Sequence, residues 1–318
     1  MQGLSKIIVG VDIPEVSDND ESVLSAATRE AVDRGIWLAA QNGASIHFLC
    51  VLDSPRLETE DLVEDTHTRE LMEHAERVLA GLKQEAEEQG ATATTAITNG
   101  RAWQELIRAV VTMDADLVIT GSRSHSPARR LVFGTTSMKL LRKCPCPVLV
   151  LRPETRHAED EPATIVVADD FTEVGERCLH LGVELAQLMH ARLLALHAVE
   201  FPLERPLLRS GMVEEEVKKY RQKCHDEAEQ QLIERLSGTD YRTIEEGTQT
   251  EIGVGPAETA IEDAIDRHSA DLLVMGTVGR GGIPGFLIGN TAERLLHQVD
   301  CSVLAVKPND FQCPLTFD

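Results

Sequence analysis

A fixed offset of 155 positions relates the two halves of this chain of 318 residues. The offset superimposes Gly121 on Gly276, Gly134 on Gly289 and Cys146 on Cys301. In each half the first glycine follows an apolar run, and the second precedes a segment with helical periodicity. The chain is therefore a duplication of one α/β unit, which predicts two similar domains rather than a solenoid of many short repeats.

Strand-like and helical segments alternate throughout both halves, which predicts parallel sheets with right-handed crossovers. We expect two tandem open parallel five-stranded sheets flanked by helices. A polar segment bracketed by prolines predicts a linker between them. The expected bounds are a first domain at 1–153, a linker at 154–162, a second domain at 163–308 and a tail at 309–318.

The most specific motif lies in the second half. Gly276 and Gly279 directly follow a strand-like apolar run, and Gly289 comes after nine further residues. A helical pattern then starts at Thr291, with Asn290 as its expected cap. Glycines let backbone amides approach an anion closely, and the N-terminus of a helix favours negative charge. The pattern predicts a phosphate site in the second half.

The first half keeps only part of this motif. Gly121 and the pair Gly134-Thr135 are present, but Ser124 stands where the second half has Gly279. A serine is disfavoured wherever the backbone needs a positive φ or must approach a ligand closely. We therefore expect the first site to be weakened or lost, with its loop serving packing alone.

The charge balance limits the ligands of this chain. It has 31 Lys and Arg against 53 Asp and Glu, a formal charge of −22. This charge disfavours nucleic acids and anionic membranes, so a phosphate must be held locally. The sequence has neither an apolar stretch long enough to span a bilayer nor a signal-peptide pattern. We expect a cytoplasmic protein with seven free cysteines and no metal site.

The motif of the second half, G-x2-G-x9-G, resembles the nucleotide signature of the universal stress protein family. Asn290, followed by Thr291, stands where that family has Ser or Thr. A second similarity lies at Ala168-Asp169-Asp170, which resembles the exit of the family's first strand, where an Asp contacts base and ribose. The tandem arrangement is similar to the bacterial universal stress protein E group. The resemblance covers nearly the whole chain and implies a Rossmann-like, adenine nucleotide alpha hydrolase-like fold.

The resemblance also implies an adenine nucleotide in the second domain, ATP or else ADP or AMP, with Mg²⁺ able to bridge its phosphates. The expected residues near the base are Ala168, Asp169, Asp170, Ala198 and Met275. Those expected near the phosphates are Gly276, Thr277, Gly279, Arg280, Gly289, Asn290 and Thr291. The degenerate site of the first domain comprises Asp12, Gly121, Ser124, Gly134 and Thr135. The resemblance further implies an intramolecular pseudo-dimer formed through the last strands, and a homodimer of such chains.

The sequence contains neither the G-x-S-x-G turn of a hydrolase nor the G-x-x-x-x-G-K-[S/T] loop of a phosphoryl-transfer enzyme. We therefore expect no catalytic residues and at most slow ATP hydrolysis. The leading hypothesis is a stress-response regulator or sensor in which nucleotide occupancy biases shape or the choice of a protein partner. Two alternatives stay open: a slow ATPase or nucleotidyl transferase, and a nucleotide-independent interaction module.

Overall fold

The computed structural model describes residues 4–14, 24–52, 66–122, 133–152, 162–277, 289–296 and 298–316. Contacts between Cα atoms divide the chain into two units. The first unit comprises Met1–Glu154 with Asn309–Asp318, and the second comprises Thr155–Pro308. Each unit is an open parallel sheet of five strands flanked by helices, which confirms the predicted fold class.

The first unit has the strand order β3-β2-β1-β4-β5. Its strands are β1 (Lys6–Val11), β2 (Ser45–Leu52), β3 (Thr92–Asn99), β4 (Leu117–Gly121) and β5 (Val148–Leu151). Its helices are α1 (Ala26–Asn42), α2 (Thr66–Glu88), α3 (Ala102–Met113) and α4 (Thr135–Lys143). All the strand pairs of this unit are parallel, so their carboxyl ends meet at one edge.

The second unit repeats this order as β8-β7-β6-β9-β10. Its strands are β6 (Thr164–Ala168), β7 (Arg192–Val199), β8 (Thr248–Val254), β9 (Leu272–Gly276) and β10 (Ser302–Val306). Its helices are α5 (Glu173–Met189), α6 (Glu204–Arg209), α7 (Glu214–Ser237), α8 (Ala257–His268) and α9 (Asn290–Leu295). Its strands also pair in parallel. Within the described part of the chain, no helix combines the length and apolarity needed to cross a bilayer.

The same close contact between helix and strand occurs in both units. In α1, a Cβ added to Gly35 would lie 2.6 Å from Cγ2 of Val9. In α5, a Cβ added to Gly182 would lie 2.2 Å from Cγ2 of Val167. Both valines are fully buried in the first strand of their unit. These glycines let the first helix of each unit pack directly on the sheet, because any side chain there would displace it.

Three local features of the structure differ from what the sequence predicts. Helix α6 was not predicted, because six residues are too few to show a helical period. The sequence Gly253-Val-Gly-Pro256 is typical of a turn, but Gly253 lies in the last part of β8, where a Cβ would lie 2.5 Å from that of Ala260. The N-cap of α9 is Gly289 rather than Asn290, a shift of one residue that is common at helix ends.

Asp116 connects β4 to the start of β1. One of its oxygens accepts hydrogen bonds from Ser5 N–H (2.8 Å), Ser5 Oγ (2.7 Å) and Lys6 N–H (2.9 Å). Partial burial by itself raises the pKa of this carboxyl, but the bonds from Ser5 and Lys6 outweigh it and leave the pKa below its ordinary value. The equivalent Asp271 accepts from Thr164 N–H at 2.7 Å in the second unit.

We expect Asp116→Asn to lower the free energy of unfolding by about 1 kcal/mol at neutral pH, since a neutral amide is a weaker acceptor at this partly screened site. A depressed pKa stabilises the folded state above the unfolded value of about 3.9, and the contribution is lost as the pH falls through the folded pKa. The difference from wild type should therefore shrink below about pH 4 in urea titrations at several pH values. A difference that does not change with pH would contradict this account.

Candidate functional site

The strand order of the second unit reverses between β6 and β9. From β6 the chain continues outward to β7 and β8, whereas β9 and β10 lie on its other side. Ala168, the last residue of β6, pairs with Met275, the residue before the end of β9, so the carboxyl ends of the two strands are neighbours. In open α/β sheets, ligands bind outside the carboxyl ends of the strands at such a reversal. Two residues predicted from the sequence therefore lie at the position where this fold binds ligands.

A hydrogen bond joins the residue that follows β9 to the residue that precedes α9. Thr277 is buried, and its N–H donates to the carbonyl of Val306 at 3.1 Å. The Thr277 carbonyl accepts a hydrogen bond of 2.7 Å from Gly289 N–H. The chain thus returns to the end of β9 before α9 begins, and half-buried Thr291 lies in the first turn of this helix.

The predicted phosphate cradle is described at its two ends. Gly279, Arg280 and the side chain of Asn290 lie outside the described residues. The described ends of the segment are Thr277 and Gly289, which are joined by the hydrogen bond given above. Both described ends of the motif therefore lie together at the carboxyl edge of the sheet.

Gly276 has a packing role in addition to its predicted ligand role. A Cβ at this position would lie 2.9 Å from Cγ1 of Val174 in α5. At the equivalent Gly121 of the first unit, a Cβ would lie 2.5 Å from the carbonyl oxygen of Ala27 in α1. Both glycines therefore allow the first helix of their unit to pass over the end of the fourth strand. The requirement for glycine at these two positions is explained without a ligand.

The two predicted carboxylates at the exit of β6 have different surroundings. The Asp169 side chain is fully buried, and its Oδ2 accepts from Arg235 Nε at 2.7 Å. Its Oδ1 accepts from Phe171 N–H at 2.8 Å and from Arg235 Nη2 at 3.2 Å. Asp170 is half-buried, and its Oδ1 accepts from Thr172 N–H at 3.1 Å and from the Thr172 hydroxyl at 2.5 Å. Asp170 is thus the more accessible carboxylate.

At the exit of β7, Ala198 is half-buried and pairs with Gly253 of β8. The residue that pairs with Ala168 is Leu196. Between them, His197 Nδ1 lies 2.7 Å from the carbonyl oxygen of Asp169. A carbonyl only accepts hydrogen bonds, so Nδ1 carries the proton. Ala198 therefore lies two residues further along β7 than the neighbour of Ala168.

Three residues that sequence reasoning missed surround Asp169. The ring of His197 stacks on Phe171, with centroids 3.7 Å apart and planes at 9°. The Arg235 guanidinium carbon lies 5.9 Å from the Phe171 ring centroid. The strand register contains one signal for this cluster. Val9 pairs with Ile119 and Val167 pairs with Val274 in the two units, so Val11, two residues further on, is the equivalent of Asp169. A carboxylate at an otherwise apolar position requires a buried partner, although the sequence does not identify it.

The first unit places its predicted residues at the matching edge. Asp12 follows β1 and is exposed, and Gly121 ends β4. Gly134 is the N-cap of α4, and Thr135 is the first residue of that helix. Ser124 lies outside the described residues. The described part of the first unit therefore retains the strand exits and the helix start of the motif.

Two buried thiols lie near the exits of β1 and β6. Burial, with a smaller contribution from the charge of Asp12, raises the pKa of the Cys50 thiol to about 11. Burial, reinforced by the charges of Asp169 and Asp170, holds the pKa of the Cys178 thiol far above its ordinary value. Both thiols are therefore protonated at neutral pH, and neither provides a thiolate nucleophile.

These features define a class of protein: a tandem Rossmann-like α/β chain with the strand reversal and the glycine-to-helix connection at the carboxyl edge. The chain belongs to the universal stress protein family, whose family model matches residues 4–152 and 163–307. This confirms the family predicted from the sequence.

Individual relatives agree with the tandem type. The chain is 27% identical over 226 residues to universal stress protein E of Photorhabdus laumondii, covering 69% of this chain and 70% of that protein. It is 26% identical over 233 residues to universal stress protein E of Escherichia coli, covering 70% of each. A solved structure of a universal stress protein from Pseudomonas aeruginosa is 25% identical, with a TM-score of 0.65 over 97% of this chain and 95% of that chain.

Proposed function

We propose that the second unit binds an adenine nucleotide, ATP or else ADP or AMP, and that the chain acts in the cytoplasm as a stress-response regulator. The observation that carries this proposal is the pairing of Ala168 with Met275 at the strand reversal. It brings the exit of β6 to the end of β9, where the glycine motif begins. The matching spacing of Gly276, Gly279 and Gly289 supports the same location.

In this proposal the base lies near Asp170, Ala198 and Met275, and the phosphates lie on the glycine loop. In this proposal backbone N–H groups around Gly279 and Thr291, together with Arg280, would hold the phosphates, and Mg²⁺ would offset part of their charge. Such local donors are needed because the net charge of −22 repels an anion at longer range. Asp169 would act indirectly, because its carboxylate is bound to Arg235.

In this proposal the bound nucleotide regulates the protein and is not the substrate of a fast reaction. The thiols of Cys50 and Cys178 are held protonated, and the sequence carries no phosphoryl-transfer motif. A slow ATPase or nucleotidyl transferase stays an alternative, and it predicts ATP turnover that is lost in Gly279→Ala. Pairing of the two domains within a chain stays a prediction, and so does pairing of two chains in a homodimer. Analytical ultracentrifugation tests the homodimer.

Gly279→Asp is expected to abolish nucleotide binding by the second unit. The new carboxylate adds bulk and a like charge beside the phosphates, which should weaken affinity by about 100-fold or more. Wild-type protein should release about one adenine nucleotide per chain on denaturation, measured by chromatography and mass spectrometry, and the variant should release none.

The matched control is Ser124→Asp, which makes the same change at the equivalent position of the first unit. It should leave the stoichiometry unchanged if the first site is degenerate. Absence of nucleotide from wild type, together with no binding of added ATP and Mg²⁺, would overturn the proposal. That outcome would leave the nucleotide-independent interaction module, whose partner binding should survive bulky substitutions at Gly276 and Gly289.

A further inference from the structure

A single guanidinium joins two points of the turn between β6 and α5. Arg235 donates to both carboxylate oxygens of Asp169, and its Nη2 also donates to the carbonyl of Thr172 at 2.7 Å. The Arg235 side chain is 17% exposed and that of Asp169 is 0% exposed. Arg235 lies in the last turn of α7. The pair therefore attaches this helix to the turn that carries Asp170.

The fold itself does not require an ion pair at this position. Val11 occupies the equivalent place in the first unit and is 4% exposed there. A buried ion pair pays a large desolvation cost, and well-packed apolar residues often replace such a pair without loss of stability. The second unit thus carries a charged pair where its duplicate has an apolar side chain. This difference indicates a role beyond holding the sheet together.

The turn that the pair holds has a constrained backbone. Phe171 has φ +62°, a left-handed conformation that is uncommon for a residue other than glycine. The bond from its N–H to Asp169 Oδ1 and the stacking of its ring on His197 maintain this conformation. A Cβ at Gly175 would lie 2.1 Å from Asp169 Oδ1, so the first turn of α5 closes directly over the carboxylate. Backbone strain that persists under such constraint is typical of functional sites.

We infer that Arg235, acting through Asp169, is a positioning residue for the nucleotide: it holds the turn 169–172 so that Asp170 faces the ligand. This inference rests on the proposed function. Because Arg235 belongs to α7, binding at the site and order in the last turn of this helix are thermodynamically linked. The helix is thereby an element through which occupancy can be transmitted.

The test replaces the whole pair at once, with Asp169→Val and Arg235→Met combined in one chain. Valine reproduces the residue of the first unit, and methionine adapts to irregular space without a charge. The double variant should unfold cooperatively near the wild-type temperature. Its Kd for ATP with Mg²⁺, measured by calorimetry, should rise about ten-fold or more because the turn is no longer preorganised.

Arg29→Met is the matched control. Arg29 of α1 also joins two elements through an ion pair, donating to Glu85 of α2 at 2.6 Å, but this pair is more exposed and lies in the first unit, away from the proposed site. It should leave the Kd for ATP unchanged. A double variant with a Kd within about two-fold of wild type would overturn the inference alone, whereas absence of ATP binding in wild type would overturn the proposed function itself.

A second variant tests the inference even if the double variant fails to fold. Arg235→Lys keeps the charge but loses the fork that reaches Asp169 and Thr172 together. It should raise the Kd for ATP and speed hydrogen exchange of the Phe171 and Thr172 amides in ligand-free protein. Wild-type rates at these amides, with an unchanged Kd, would contradict a positioning role.

Discussion

Arg235→Ala is expected to lower the free energy of unfolding of the second unit by about 3–5 kcal/mol, the cost of leaving a buried carboxylate without its partner. Asp169 has no exposed surface, so water reaches it only if the turn opens. The carbonyl of Thr172 would lose the bond from Arg235 as well and keep only the bond of 3.1 Å from Glu176 N–H. Faster hydrogen exchange in β6 and β7 would locate the loss of stability in the second unit. Urea unfolding followed by circular dichroism would give its size in free energy.

The control for Arg235→Ala is Arg29→Ala in the first unit. The Arg29 and Glu85 side chains are each 36% exposed, so the free energy of unfolding should fall by less than about 1 kcal/mol. Both tryptophans, Trp37 and Trp103, belong to the first unit, so their fluorescence follows that unit alone. Equal costs for the two variants would mean that Asp169 is hydrated after the loss of Arg235, contrary to its observed burial.

Gly121→Ala should cost about 3 kcal/mol of stability, near the upper end of overpacking effects. The new Cβ would lie 2.5 Å from the carbonyl oxygen of Ala27 and 2.6 Å from its carbonyl carbon. Those atoms belong to the backbone of α1, so the helix itself must move. Tryptophan fluorescence during urea unfolding is the measurement, because it reports on the first unit.

Gly276→Ala makes the same change at the equivalent position of the second unit and should cost only about 1 kcal/mol. Its Cβ would meet Cγ1 of Val174 at 2.9 Å, and a side-chain atom can shift more easily than a backbone. Comparable losses in the two variants would show that contact with α1 or α5 does not decide the requirement for glycine. A selective loss of nucleotide in Gly276→Ala at unchanged stability would instead place the phosphate against this residue.

Most of the architecture was predictable because its signals are local. Alternating apolar runs and helical periods predicted ten strands in two parallel sheets, and the repeated glycines predicted two copies. The exits of β6 and β9 were placed in the candidate site from the motif and the family resemblance. Helix α6 and the end of β8 were missed, since a short helix and an edge strand carry weak patterns.

The surroundings of the two carboxylates were not predictable. Asp169 and Asp170 are adjacent in sequence and chemically identical, yet one is bound to Arg235 and the other is half-buried at the edge. The Arg235 partner lies 66 positions away along the chain. One more charged residue in a helix rich in charges gives no sign of which residue it will contact.

The sequence by itself determined the duplication, the strand order, the family and the location of the glycine motif, because each depends on residue types at fixed spacing. Only the tertiary structure decided that Gly276 and Gly121 accommodate a crossing helix, and that Asp169 is paired with Arg235 in a constrained turn. The physical reason is that burial and pairing depend on which distant segments meet, and periodicity along the chain does not encode those contacts.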